Sequence, residues 1–84
     1  MAPEFKQLVM PNGLRVYAAI PGLRDGDLEI STEGRTLRIS SRECCCLGPF
    51  EAEVEVPLAF DAASARAEYF SGELRIVLPR RYDL

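Results

Sequence analysis

The chain contains no histidine and no tryptophan. The missing histidine removes the commonest general base at neutral pH and the commonest metal ligand together. Positive charge is not in excess either. Ten Lys and Arg stand against thirteen Asp and Glu, a net charge of −3. That balance does not attract a phosphate backbone, which argues against nucleic acid as a partner. No apolar run approaches the ~20 residues of a membrane span. Residues 1–7 lack the apolar core of a signal peptide, so the expected location is cytoplasmic, with no membrane partner. Apolar residues nowhere recur with a period of 3.6, so no long helix is predicted. No serine has an evident base, and no Gly-rich loop leads from a strand into a helix. Acyl transfer and phosphate binding therefore lack support, and an enzyme is the least supported class.

What the chain does have is short alternating segments. The plainest is residues 67–79. There Leu74, Ile76 and Leu78 alternate with Glu73, Arg75 and Val77 after a Ser71-Gly72 turn signal. The period of two sets three aliphatics on one face of a strand, and Gly72 supplies the positive φ that a two-residue hairpin needs. Pro79 closes the run. Residues 14–20 alternate in the same way, with Leu14, Val16, Ala18 and Ile20 on one face before Pro21-Gly22. Residues 27–32 turn Leu28 and Ile30 inward, and residues 36–40 return with Leu37 and Ile39 inward. Residues 50–56 present Phe50, Ala52, Val54 and Val56 on one side and Glu51, Glu53 and Glu55 on the other. Residues 60–64 fit one helical turn or a loop, and residues 65–69 enter the final hairpin. About seven short strands separated by Gly or Pro predict an all-β, antiparallel immunoglobulin-like sandwich. The expected division is a short lead over residues 1–13, its first seven residues poorly ordered, a domain over 14–79, and a charged tail over 80–84. Phe50, Val54, Val56, Leu28, Ile30, Leu74 and Ile76 are the expected buried positions.

Two features invite chemistry. Cys44, Cys45 and Cys46 are consecutive. On a strand Cys44 and Cys46 share a face while Cys45 points away, so three thiols do not converge easily on one ion. Consecutive cysteines also lack the spacings of zinc sites, and a structural zinc wants four ligands. Packing as small hydrophobes is the plain reading. Cys44 and Cys46 remain candidate redox thiols, and a thiol-based metal or metalloid carrier is the rival. Glu51, Glu53 and Glu55 read as the solvated face of a strand rather than as a carboxylate cluster. No metal site and no cofactor is expected.

Three blocks in order resemble the α-crystallin domain of the small heat-shock proteins. The first is Ile20-Pro21-Gly22-Leu23, followed by Asp27-Leu28 and Leu37-Arg38-Ile39-Ser40. The second runs from Gly48-Pro49-Phe50 to Val56-Pro57. The third is Ala67-x-x-x-Ser71-Gly72-Glu73-Leu74. The resemblance runs from about Val16 to Pro79. The resemblance implies an ATP-independent holdase of the stress response that binds unfolded or partly folded proteins through apolar grooves at sheet edges. By that resemblance Leu37 and Ile39 on one side, with Ala65 and Ala67 on the other, are the client or partner groove, and Phe50, Ala52 and Val54 lie on an edge-strand interface. A CS-type co-chaperone or adaptor, binding one specific partner, is the alternative.

The sequence also departs from the family. Only residues 44–47 separate Glu43 from Gly48, too few for the swapped strand that the family carries in this loop. Ala52 stands where an Arg is common. Residues 80–84 hold one aliphatic and offer no Ile-x-Ile tail, and the N-terminal arm is brief. The expected assembly is a monomer or small homodimer, paired along residues 50–56 and linked through Cys44 or Cys46 under oxidising conditions.

Overall fold

The computed structural model describes residues 3–24, 26–42 and 48–82. The alternating segments form strands, and like faces of those strands meet. β1 (Lys6–Met10), β2 (Gly13–Ala19), β6 (Arg66–Phe70) and β7 (Glu73–Pro79) build one antiparallel sheet in the order β1-β2-β7-β6. β3 (Leu28–Glu33), β4 (Thr36–Ser41) and β5 (Phe50–Glu55) build a second in the order β3-β4-β5. A single 3₁₀ turn, Ala62–Ser64, precedes β6. Asp61 caps it, accepting the Ala63 amide at 3.1 Å and the Ser64 hydroxyl at 2.7 Å.

Strands β2, β4, β5 and β7 bury residues on the face their sequence marks. In the first sheet Leu14, Val16 and Ala18 pair with Leu78, Ile76 and Leu74, and all six are buried. In the second, Leu37 and Ile39 pair with Val54 and Ala52. Phe50, Val54, Val56 and Phe60 close the core from the β5 side. Full burial of one such aliphatic is worth about 1.5–3 kcal/mol. The Arg38 pairs with Glu53 at 2.9 Å and Glu33 at 3.5 Å lie on the surface, where an ion pair contributes about 0–1 kcal/mol. Apolar burial, not charge pairing, decides that these sheets stay together.

Three expectations change. Leu28 and Ile30 are half-buried rather than buried, because β3 is an edge strand whose inner face is covered on one side only. Residues 6–10, read as part of a polar lead, form strand β1, and Phe5 before it packs against the core. β1 shows no buried alternation because it is held by backbone pairing with β2, from Lys6↔Tyr17 to Met10↔Gly13. Arg80 is not loose tail. Its guanidinium lies 5.0 Å over the Phe60 ring and donates to the carbonyls of Met10 at 3.0 Å and Pro11 at 3.2 Å. The Cys44-Cys45-Cys46 run and the short connector lie outside the described residues.

Two glycines are dictated by geometry. Gly72 has φ 80° and its neighbour Ser71 φ 52°, the pair of positive values that twists a two-residue hairpin correctly. Gly13 sits opposite Pro79, and a Cβ there would stand 2.5 Å from the Leu78 carbonyl oxygen. Gly13→Ala is expected to destabilise by about 1–3 kcal/mol, because rigid backbone must move to admit the methyl group. Gly72→Val is expected to cost a similar amount through left-handed strain on a β-branched residue. Denaturant melts of both variants check this; an unchanged midpoint would contradict the close approach at Gly13 or the turn at Gly72, respectively.

Candidate functional site: the open flank between the sheets

Residues directly opposite in a ladder share a face. Ala67 and Tyr69 on β6 pair with Ile76 and Leu74, so both look toward the inter-sheet space. Leu28, Ile30 and Thr32 on β3 pair with Ser41, Ile39 and Leu37 and look the same way. β3 and β6 each end their sheet. Tyr69 ties β6 to the connection that leads from β2 toward β3. Its hydroxyl donates to the Ile20 carbonyl and accepts the Leu23 amide at 3.3 Å, gripping the Pro21-Gly22 turn that carries the chain from β2 toward β3. The Ile20 amide donates to the Gly72 carbonyl at 2.8 Å, so the same turn is pinned to the β6–β7 hairpin.

Along this flank the apolar surface is only partly covered. Leu28, Ile30 and Ala65 are half-buried against the core, while Ala67 is exposed. Ala67 is small and covers little of the apolar surface beside it. Among the described residues no strand pairs with the outer edge of β3 or of β6. Their backbone donors and acceptors are thus available beside apolar side chains, the combination that strand addition uses.

The groove residues named from sequence divide accordingly. Ala65 and Ala67 lie on the open flank. Leu37 and Ile39 do not: both are 0 % exposed and sit on β4, the central strand of the second sheet. Assigning them to an edge is corrected, because β4 pairs with β3 on one side and with β5 on the other. The groove positions on this sheet belong to Leu28 and Ile30, one strand further out. Phe50, Ala52 and Val54 do lie on an edge strand, β5. Their side chains turn inward, however, and Phe50 and Val54 are each only 7 % exposed. What β5 shows to solvent is Glu51, Glu53 and Glu55. Among the described residues no group of three or more His, Cys, Asp or Glu is arranged to hold a metal, and no helix is long and apolar enough to cross a membrane.

By sequence, no family model and no curated protein matches the chain. Solved structures do match. A small heat-shock protein from Xylella fastidiosa superposes with a TM-score of 0.88 at 22 % identity, over 100 % of this chain and 90 % of that one. The fold is that of the small heat-shock proteins. HSP18.5 from E. histolytica gives 0.85 at 18 % identity, covering 98 % of this chain and 90 % of its own. Heat shock protein 16.0 from Schizosaccharomyces pombe gives 0.85 at 19 % identity, covering 99 % and 76 %. At these identities the likeness is one of fold, an α-crystallin-type sandwich.

Tyr69 was not singled out by sequence. A tyrosine at an inward-facing edge position, opposite a Pro-Gly turn, was the available signal, but only the tertiary structure brings the two together. Tyr69→Phe is expected to lower stability by about 1 kcal/mol, the usual net worth of a lost hydrogen bond, and to leave the fold intact. Thermal melts with and without the substitution measure it; an unchanged melting temperature would remove Tyr69 from this role.

Proposed function

We propose that the chain is an ATP-independent holdase of small heat-shock type, and that the flank between β3 and β6 captures non-native protein. The observation that carries this reading is that the edges of β3 and β6 are paired by no described strand and carry incompletely covered Leu28 and Ile30 and exposed Ala67, with half-buried Ala65 just before β6. A partly unfolded client offers what such a flank lacks: extended backbone for the edges and apolar side chains for the gap. The mechanism is burial and strand addition, so it requires no nucleotide, metal or other cofactor. The α-crystallin-type fold supports the reading by analogy, and the geometry of the flank supports it independently.

Ala67 is the position to test, because it is exposed and its replacement leaves the core untouched. Ala67→Asp places a charge in the apolar gap, where an unpaired charge is costly to desolvate. In a light-scattering assay with several unrelated aggregating clients, the wild-type chain is expected to suppress aggregation in proportion to its concentration. Ala67→Asp is expected to lose most of that suppression while melting at the wild-type temperature. A wild-type protein that leaves every client to aggregate would overturn the holdase reading in favour of an adaptor for one specific partner.

A further inference from the structure

We propose that the outer edge of β1 is a self-association surface, on which a second copy of this chain pairs antiparallel about Leu8 to join two four-stranded sheets into one of eight. β1 lies at the opposite end of its sheet from β6, so this surface is separate from the client flank.

The register with β2 fixes what β1 has to offer. The two-residue turn makes Met10 and Gly13 the closing hydrogen-bonded pair, and such pairs alternate along an antiparallel ladder. Lys6, Leu8 and Met10 therefore direct their backbone groups at β2, while Gln7 and Val9 direct theirs out of the sheet. A two-fold axis through Leu8 sets Gln7 of one copy against Val9 of the other, twice. That arrangement uses all four outward amides and carbonyls of the strand's central residues. It also sets Leu8 against Leu8 in the closely spaced non-hydrogen-bonded position, where side chains touch most. In the single chain Leu8 is 46 % exposed and Val9 64 % exposed, a large apolar display for a strand of five residues.

Charge selects this edge over the others. Lys6 falls opposite Met10 of the second copy, so no like charges face each other. On β5 an axis through Glu53 would oppose Glu53 to Glu53 and Glu51 to Glu55. On β6 an axis through Glu68 would oppose Glu68 to itself. Like charges directly opposite are destabilising. Pairing along β3 would align two second sheets whose outer faces carry Glu29, Glu33, Glu51, Glu53 and Glu55 against Arg38. The outward face of the β1 sheet is more balanced, with Lys6, Arg15, Arg66 and Arg75 against Glu68 and Glu73. β1 is also held ready. Arg80 binds the carbonyls of Met10 and Pro11 at its turn, which limits the ordering that association must still impose.

Sedimentation velocity in reducing buffer over a wide range of concentration tests the proposal, with amide hydrogen exchange read residue by residue. The expected result is a reversible dimer in which the Gln7 and Val9 amides gain protection as concentration rises, while the Leu8 amide is protected throughout. Val9→Pro removes an outward amide without breaking a bond to β2. Leu8→Glu sets two carboxylates against each other across the axis. Each is expected to raise the dimer dissociation constant at least about tenfold, a change of ~1.4 kcal/mol. Should Val9→Pro fail to fold, Leu8→Glu decides alone. A chain that stays monomeric at every concentration, or a dimer that survives a folded variant unweakened, overturns the proposal. So does protection of Gln7 and Val9 that arises only when an unfolded client is added.

Discussion

Everything in this molecule depends on one constraint: two sheets of four and three strands must cover each other's inner faces with the few aliphatics that a chain of 84 residues can supply. A domain this small buries only about 60–65 % of the surface its unfolded chain exposes, so nearly every inward position has to contribute. That requirement explains why Leu37 and Ile39 are sealed in the centre of the second sheet and not left for a partner. It also explains why the flank that stays open is lined by half-buried residues. Leu28, Ile30 and Ala65 stabilise the core with one side and face the gap with the other.

Burial alone does not orient one sheet on the other. Polar contacts at the ends of the strands fix the turns and connections that leave each sheet. Tyr69 and Gly72 hold the turn after Ile20, where the chain leaves the first sheet. Arg80 ties the β1–β2 turn to Phe60, and the Asp61 amide donates to the Pro79 carbonyl at 2.9 Å. The Val56 amide donates to the Arg35 carbonyl at 2.8 Å, closing the corner beyond β5. These bonds individually contribute about 1 kcal/mol, less than one buried aliphatic, yet they join segments far apart in sequence. Their effect is to restrict which packing of the apolar faces is reached.

The division between what sequence reveals and what it hides follows the same physics. Strands β2, β4, β5 and β7 are legible because one face of each is buried or nearly so, and a period of two is the direct imprint of that burial. The Ser71-Gly72 turn was legible because a backbone with positive φ narrows the choice of residue. β1 was not, since a strand held only by its backbone ladder leaves no apolar period behind. Leu37 and Ile39 show the complementary limit. Alternation says that they face inward, but not whether their strand has neighbours on both sides. Strand order arises from long-range pairing, and nothing in residues 36–41 records whether β3 lies outside β4. For the same reason alternation does not tell a groove-lining strand from the strand beside it. Tyr69 and Arg80 were missed because a side chain reaching across 46 or 70 positions leaves no local pattern.

The four sheet edges are consequently unlike one another, and their chemistry sorts them. β5 is flanked by Pro49 and Pro57 and shows three glutamates to solvent, the devices by which natural sheets discourage pairing. β3 and β6 lie beside an apolar gap that no described strand covers. β1 combines outward backbone groups with exposed Leu8 and Val9 and a single cation. An unprotected edge of that kind is a liability in a small domain unless it is occupied. Protecting β5 by charge would be of little use if every other edge were equally free to pair. The asymmetry therefore reads as a restriction on where strand addition takes place: away from the acidic face, toward the β3–β6 flank for extended apolar chains, and toward β1 where only a partner of matching register fits.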